Sequence, residues 1–199
     1  VIENVELDVR ILKELGLTLR FAVETHVHAD HITAASLLKD RTGAQIVYGG
    51  GVSRVVTGAD LFLSEGHELR FGESALTALA TPGHTDGCTS YVLPGAVFTG
   101  DALFVRGNGR TDLQAGSAAT LFDSVRHKLF ALPDDTVVYP GHDYQGRISS
   151  TIGEEKRFNE RLNLGIDKDS FIELMNRRHQ PKPAKIEIIP VTKPPDTDR

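Results

Sequence analysis

Four side chains of metal-binding types fall within six consecutive residues of this chain, His26-Val27-His28-Ala29-Asp30-His31. The run directly follows a predicted strand that ends near Thr25. In an extended backbone, residues two apart point to the same side, so His26 and His28 converge and Asp30 follows them. A helix predicted to begin at this point should keep the His31 imidazole neutral, because the helix dipole disfavours a cation there. The run therefore predicts a metal site at the end of a strand.

Three more residues of these types each follow a predicted strand and a glycine. They are His84 in Pro82-Gly83-His84, Asp101 in Thr99-Gly100-Asp101, and His142 in Pro140-Gly141-His142. Glycine lets the backbone turn sharply, so each side chain can approach a shared centre. A lone histidine in a loop is usually a polar surface residue, and we assign that role to His67, His127 and His179. The coincidence of strand ends and glycines favours a metal site for the others.

The candidate ligands leave the metal and its count open. The chain has eight histidines and one cysteine, Cys88, so a cysteine-based zinc site and an internal disulfide are both excluded. Imidazole and carboxylate ligands suit zinc, iron or manganese. The seven candidates could hold two metals with Asp101 as a bridge, which would generate hydroxide for hydrolysis. Alternatively, two histidines and one aspartate could form a facial triad whose open positions take oxygen and substrate, with the other residues orienting the ligands.

The hydrophobic pattern predicts strands that mostly alternate with helices, with hairpins between them. The predicted helices are one ending at Gly16 with Leu7, Ile11, Leu12 and Leu15 on one face, Ile32–Arg41 capped by Asp30, Ser117–Leu132, Glu154–Arg161 and Lys168–Arg178. The predicted strands are Leu17–Glu24, Gln45–Tyr48, His67–Phe71, Ala75–Ala80, Thr89–Leu93, Ala96–Thr99 and Thr136–Tyr139. This order predicts an α/β (α+β) fold in which helices pack outside sheets.

Composition excludes several classes of function. The net charge of −5 gives no basic surface for nucleic acid or anionic lipid. No apolar run approaches the roughly 20 residues of a membrane span. We therefore expect neither a nucleic-acid partner nor a membrane.

In order and spacing, the candidate ligands resemble those of the metallo-β-lactamase superfamily, in its glyoxalase II-like branch. Longer segments resemble the persulfide dioxygenases (sulfur dioxygenases, the ethylmalonic encephalopathy protein family). The matching segments are Thr25–Ile32, Ala80–Cys88, Phe98–Ala102, Arg106–Asp112 and Tyr139–Tyr144, and the similarity extends to Lys182-Pro183. The Asp86-Gly87-Cys88 and Arg110-Thr111-Asp112 segments discriminate best, because glyoxalase II usually has a further histidine where Cys88 stands.

The resemblance implies an αββα sandwich with the site along one edge of two packed sheets. It implies one Fe(II) per chain, held by His26, His84 and Asp101, with His28, Asp30, His31 and His142 as outer partners or as ligands of a second metal. The implied reaction is the oxidation of glutathione persulfide by O2 to sulfite and glutathione. A homodimer and a functional link to a rhodanese-type sulfurtransferase are further expectations.

Two residues near the ligands are candidates for substrate binding. Arg110 can bind a carboxylate of the substrate with its rigid guanidinium, or it can form a structural ion pair with Asp112. The resemblance favours a position in the substrate pocket. Tyr144 can offer its hydroxyl to substrate or oxygen, which makes it a candidate catalytic residue as well, or it can simply pack over the site. Cys88 is expected to be a small buried residue and no nucleophile. Asn108 stands where many family members carry cysteine.

Two other functions remain possible from the sequence. One is a dinuclear zinc or iron thioester hydrolase of the glyoxalase II (hydroxyacylglutathione hydrolase) type. The other is a metal-binding scaffold that has lost catalysis, or a domain that regulates a fused sulfurtransferase. We expect residues 1–199 to form a single domain, with the helices and tail of 150–199 packed on the sandwich. The family has further N-terminal strands before the segment that matches Val1, so we expect the chain as given to lack them. A thiol-derived substrate indicates a reducing compartment, either a bacterial cytoplasm, which we prefer, or a mitochondrial matrix.

Overall fold

A computed structural model of the chain describes residues 4–28, 31–113 and 115–178. The helices are α1 (Val5–Glu14), α2 (Ala35–Thr42), α3 (Ala118–His127), α4 (Ile152–Phe158) and α5 (Lys168–Asn176). The strands are β1 (Phe21–Glu24), β2 (Gln45–Gly49), β3 (Leu61–Leu63), β4 (Glu68–Phe71), β5 (Ser74–Ala80), β6 (Thr89–Leu93), β7 (Ala96–Gly100), β8 (Val137–Pro140) and β9 (Ser150–Thr151). Among the described residues, no helix combines the length and the apolarity that a bilayer crossing requires.

The strands form two sheets. The first is parallel throughout, in the order β1-β2-β3. The second has the order β4-β5-β6-β7-β8-β9 and is antiparallel except for the parallel pair β7-β8. Because β7 and β8 run the same way, Asp101 and His142 leave the same edge of this sheet.

Three apolar clusters define four layers. Val47 and Leu63 of the first sheet pack against Leu69, Leu76 and Tyr91 of the second sheet. The outer face of the first sheet is covered by α2 in a cluster that includes Ala35, Ile46 and Tyr48. The outer face of the second sheet is covered by the helices after residue 117, in a cluster that includes Val97, Val138, Leu121, Ile152 and Phe171. The predicted αββα sandwich is confirmed.

All the predicted helices and strands are found, but several begin or end at other residues than predicted, because tertiary contacts set their ends. The first helix ends at Glu14, and Gly16 has a φ of 63°. The predicted strand from Leu17 begins only at Phe21, where pairing with β2 starts. The helix predicted from Ser117 to Leu132 is α3 followed by a 3₁₀ turn at Leu129–Ala131. The short strands β3 and β9 were not predicted, because three and two residues give no detectable alternation.

The start of α2 corrects one prediction. This helix begins at Ala35 with Ala34 in the N-cap position, three residues later than predicted. His31 therefore lies before the helix and not in its first turn. The predicted effect of the helix dipole on the His31 imidazole does not apply. Asp30, the predicted cap, lies outside the described residues, as do His179 and Lys182-Pro183.

Hydrogen bonds between the two sheets fix the end of β1. The hydroxyl of Tyr91 donates to the backbone oxygen of Glu24 at 2.9 Å. The backbone N–H of Thr89 donates to the backbone oxygen of Thr25 at 2.8 Å. Both bonds join β6 to the residues directly before His26, so the first candidate ligand starts from a rigid support on the second sheet.

Candidate metal centre

His26, His84 and Asp101 form the centre that the sequence predicted. Each offers one ligand atom, these atoms lie within 4.8 Å of one another, and all three residues are buried. They follow β1, β5 and β7, so the ends of three strands meet here. Among the residues described, this is the one group of three or more histidine, cysteine or acidic side chains placed closely enough to share an ion.

Hydrogen bonds set which atoms face the centre. His84 Nδ1 lies 2.8 Å from the backbone oxygen of Arg110, which can only accept, so Nδ1 carries a proton and Nε2 is the ring nitrogen that faces the centre. His84 Nε2 is 3.5 Å from Oδ2 of Asp101. His26 Nδ1 bonds to the hydroxyl of Thr25 at 2.9 Å. The imidazoles are thus oriented as metal ligands usually are, with the second ring nitrogen tied to the protein.

His142 holds the other oxygen of the aspartate. Its Nδ1 donates to Asp101 Oδ1 at 2.7 Å, which leaves Oδ2 towards the two histidines. Burial alone would raise the pKa of Asp101, but the His142 hydrogen bond and the nearby imidazoles hold it below its usual value. Asp101 is therefore a carboxylate that offers one oxygen to the centre, and His142 positions it.

Burial keeps His26 neutral. Desolvation is the largest cause and the neighbouring His28 the next, and together they lower the pKa of His26 from 6.5 to about 3. A neutral imidazole is the form that binds metals. Two imidazoles and one carboxylate oxygen fit a divalent first-row transition metal, and they leave positions for further ligands.

This lowered pKa makes the metal-free protein sensitive to acid. Between pH 7 and pH 5, His26 takes up a proton in the unfolded state, with its pKa of 6.5, but not in the folded state, with its pKa of about 3. The unfolded state binds more protons, so the free energy of unfolding should fall by about 2 kcal/mol from this residue alone. Urea unfolding of chelator-treated protein at the two pH values measures the fall. Between pH 7 and pH 5, the free energy of unfolding of the His26→Gln variant should fall by about 2 kcal/mol less than that of the unsubstituted protein. An equal fall in both proteins would contradict the assignment of the lowered pKa to His26.

The other predicted ligands lie nearby but outside this group. The His28 ring stands 4.1 Å from the His26 ring and 4.2 Å from the His31 ring, measured between centroids. His28 Nε2 is also 3.6 Å from a carboxylate oxygen of Glu24. Asp30, the remaining predicted member of a second metal site, lies outside the described residues. The structure thus brings the triad and His142 together and places His28 and His31 beside them.

Two of the predicted glycines shape the surroundings of Asp101. Gly100 has a φ of 51°, a conformation that favours glycine, and it turns the chain from β7 into Asp101. Gly141 has no such angle, but a Cβ atom there would lie 2.7 Å from Asp101 Oδ1. The glycine before His142 is therefore required for close approach to the aspartate.

A loop over residues 104–110 carries the carbonyl that orients His84, and a buried glutamate fixes this loop. Arg106 has a φ of 63°, which is strained for a residue with a side chain. Glu155 of α4 is fully buried; it accepts the backbone N–H of Arg106 at 2.8 Å and its guanidinium at 2.7 Å. Asn159 donates to Glu155 at 2.8 Å and to the backbone oxygen of Gly107 at 3.0 Å. Glu155 therefore positions the loop that holds His84.

The triad opens into a cavity of about 340 Å³. Five arginines line it: Arg106, Arg110, Arg147, Arg161 and Arg178. This volume is at the lower end of what small-molecule sites occupy, and the positive lining suits an anionic ligand.

Arg110 and Tyr144, the two candidates for substrate binding, both line this cavity. The Arg110 guanidinium binds Asp112 through two hydrogen bonds of 2.7 and 2.8 Å. The ion pair raises the pKa of Arg110 and lowers that of Asp112. The Tyr144 ring is stacked on His142 with centroids 6.1 Å apart, and 84% of the residue is exposed.

Cys88 is buried and does not line this cavity. Desolvation raises the pKa of its thiol to about 11, and hydrogen bonds from Thr85 offset part of that rise. The thiol therefore stays protonated at neutral pH, which matches the prediction of a buried residue that is not a nucleophile.

Comparisons with known proteins agree with this geometry. The family model described as the metallo-beta-lactamase superfamily matches residues 3–142. The chain is 46% identical over 192 residues to the mitochondrial persulfide dioxygenase ETHE1 of Mus musculus, covering 94% of this chain and 73% of that protein. The crystal structure of ETHE1 from Myxococcus xanthus superposes with a TM-score of 0.89 at 48% identity, covering 94% of this chain and 81% of that one.

The match to a thioester hydrolase is shorter. A hydroxyacylglutathione hydrolase of Brucella anthropi is 44% identical over 135 residues, which is 67% of this chain and 51% of that protein. The chain belongs to the metallo-β-lactamase superfamily and, within it, to the persulfide dioxygenase family.

Proposed function

We propose that the protein is an iron-dependent dioxygenase that oxidises glutathione persulfide with O2 to sulfite and glutathione. The observation that carries this proposal is the triad of His26, His84 and Asp101, in which three donor atoms face one point and the second aspartate oxygen is held by His142. Two histidines and one carboxylate are the ligand set of non-haem Fe(II) oxygenases. Membership of the persulfide dioxygenase family supports the choice of substrate.

The reaction balances with one O2 and one water. The outer sulfur of the persulfide loses four electrons, O2 gains them, and water supplies the third oxygen of sulfite; the products are glutathione, sulfite and two protons. Iron in this site would supply open positions at which the sulfur and O2 lie side by side, together with the redox chemistry that O2 needs.

The chain's own residues prepare the site for that reaction. The Arg110 carbonyl and the Thr25 hydroxyl hold the two imidazoles, and His142 holds Asp101, so little reorganisation is needed when the reactants enter. The arginines of the cavity attract the anionic persulfide. Tyr144, stacked on His142 at the cavity, offers its hydroxyl to the substrate or to oxygen.

Arg110 contributes to substrate binding in this proposal. Asp112 holds the Arg110 guanidinium in a fixed position in the cavity wall. The guanidinium is therefore already in place to interact with a carboxylate of the bound substrate. We expect Arg110→Ala to raise the KM for glutathione persulfide about tenfold with little change in kcat, as loss of uniform binding does. Steady-state O2 uptake measures both constants. Arg70→Ala, an exposed arginine on β4, is the control, and a fall in kcat with unchanged KM would contradict the assignment.

A paired assay tests the proposal against the hydrolase alternative. Protein purified without oxygen and loaded with Fe(II) is given glutathione persulfide while O2 is recorded, and lactoyl-glutathione while thioester cleavage is recorded. We expect O2 uptake with sulfite formation and no significant thioester cleavage. Thioester cleavage without O2 uptake would establish the dinuclear hydrolase, and bound metal with neither activity would establish a scaffold.

The setting of the enzyme is part of the same proposal. The substrate is a persulfide, which suits a reducing compartment such as a bacterial cytoplasm or a mitochondrial matrix. Persulfides arise by sulfur transfer to a thiol, so a rhodanese-type sulfurtransferase is the expected source of the substrate. A homodimer is the expected assembly, and sedimentation analysis of the iron-loaded protein tests it.

A further inference from the structure

The loop over residues 104–110 holds two of the three triad residues through its backbone. The backbone N–H of Gly109 donates to the backbone oxygen of Asp101 at 3.0 Å. The backbone oxygen of Arg110 accepts a hydrogen bond from Nδ1 of His84 at 2.8 Å. Two consecutive residues of one loop are thus bonded to two candidate metal ligands. The places of both ligands therefore depend on how the backbone runs through residues 109 and 110.

Gly109 is the residue of this loop with the most backbone freedom and the least room. A Cβ atom there would lie 2.5 Å from the backbone oxygen of Asp101 and 3.1 Å from Nδ1 of His84, so only a glycine fits. Glycine loses more conformational entropy on folding than any other residue. The close approach to both ligands thus requires a residue that does not hold its own conformation, and other groups have to fix it.

The side chain of Asn108 fixes the peptide group that follows Gly109. Asn108 is buried, and its Nδ2 donates to the backbone oxygen of Gly109 at 2.7 Å. The same nitrogen donates to the sulfur of Met175, on α5, at 3.6 Å. The peptide group before Gly109 is held separately. Its N–H is bonded to Asp101, and its carbonyl, which belongs to Asn108, accepts from Nη1 of Arg161 at 3.1 Å. Both peptide groups around the glycine are therefore held.

An amide side chain matches all of these contacts. The carbonyl of Gly109 can only accept, and the amide nitrogen of Asn108 has two N–H donors, one for this carbonyl and one for the sulfur of Met175. The amide oxygen of Asn108 faces Nη1 of Arg161, which can only donate, at 3.4 Å. These partners determine which way the amide points. An apolar side chain of the same size would offer the Gly109 carbonyl no donor.

We propose that Asn108 is a positioning residue of the metal centre, which fixes Gly109 and thereby sets the places of His84 and Asp101. A buried carbonyl without a donor costs free energy, so without the amide the peptide group after Gly109 would turn towards another donor. The Arg110 carbonyl belongs to the next peptide group and would move with it, and His84 would lose the bond that orients its ring. This proposal rests on the proposed function, because that function places a metal in the triad.

Binding of Co(II) to the metal-free protein tests the positioning apart from turnover. The visible absorption of bound Co(II) changes with the arrangement of its ligands, and a titration also gives the Kd. Asn108→Leu nearly keeps the volume of the side chain and removes its hydrogen bonds without adding a charge. We expect this variant to raise the Kd for Co(II) about tenfold, the lower end of the cost of losing an outer partner, and to change the absorption spectrum. Asn108→Ala should act in the same direction and serves if Asn108→Leu does not fold.

Met175→Leu is the matched control. It removes the other acceptor of the same Asn108 nitrogen, but it keeps the volume of a buried side chain and leaves the bond to Gly109 in place. We expect this variant to bind Co(II) with the affinity and spectrum of the unsubstituted protein. An unchanged Kd and spectrum in both Asn108 variants would overturn the proposal. An equal change in Met175→Leu would also overturn it, because the packing of α5 would then place the ligands. Failure of both Asn108 variants to fold would assign Asn108 to global stability instead.

The outcome also separates this proposal from the proposed function. If the iron-loaded, unsubstituted protein consumes O2 with glutathione persulfide but the Asn108 variants bind Co(II) normally, only the positioning role is wrong. If the variants change Co(II) binding as expected but the unsubstituted protein consumes no O2, the positioning role stands and the proposed function is wrong. If the unsubstituted protein binds no Co(II) and consumes no O2, both are wrong.

Discussion

The His84→Ala protein is expected to purify without iron. The substitution removes one of three donors and also the hydrogen bond to the Arg110 carbonyl that sets the ring's orientation. Loss of an outer partner alone typically costs 10- to 100-fold in metal affinity, so loss of a ligand should cost more than about 100-fold. O2 uptake with glutathione persulfide should fall below detection. Metal analysis of protein purified without oxygen measures the first effect.

His127→Ala is the control for this substitution. His127 is an exposed histidine of α3 that pairs with Asp123, and its loss should leave iron content and activity unchanged. Circular dichroism establishes that the His84→Ala chain is folded. A full equivalent of iron retained by folded His84→Ala would refute its assignment as a ligand.

The second large effect is expected at Glu155. Glu155→Ala leaves the Arg106 guanidinium and the strained Arg106 backbone without their buried acceptor. Breaking a buried ion pair costs 3–5 kcal/mol, and the partial exposure of Arg106 places this case near the low end, at about 3 kcal/mol of unfolding free energy. Iron affinity should fall as well, because the loop no longer fixes the carbonyl bound to His84.

Glu154 provides a matched control on the same helix. It is half-exposed, lies 3.6 Å from Arg106 and completes the capping box with Thr151. Glu154→Ala should cost about 1 kcal/mol or less, as lost capping interactions do. Urea unfolding of both variants measures the difference. Equal destabilisation by the two substitutions would show that the buried network does not stabilise the loop.

The metal centre was predictable because its residues have local signals in the sequence. His84, Asp101 and His142 each follow a strand and a glycine, and the structure places all three side chains at one edge of the two sheets. The sequence left open which ligands act together. That depended on His142 binding one oxygen of Asp101, a contact across 41 residues that no local pattern encodes.

The supporting residues could not be predicted for the same reason. Glu155 meets Arg106 across 49 residues, and Arg161 meets Asn108 across 53. In the sequence, a glutamate or an arginine on a helix is typical of an exposed face, so neither was singled out. The apolar spacing of Leu7, Ile11 and Leu15 correctly predicted a helix, but it suggested a buried face that the structure does not have. These three side chains are exposed.

We propose that a single iron in the triad of His26, His84 and Asp101 is sufficient for activity, and an Fe(II) titration tests this stoichiometry. Metal-free protein receives increasing Fe(II) without oxygen, and the rate of O2 uptake with glutathione persulfide is then plotted against iron bound per chain. The rate should rise linearly and reach its plateau at one iron per chain. A plateau only at two irons per chain, or full activity with zinc, would contradict a centre that works with one iron.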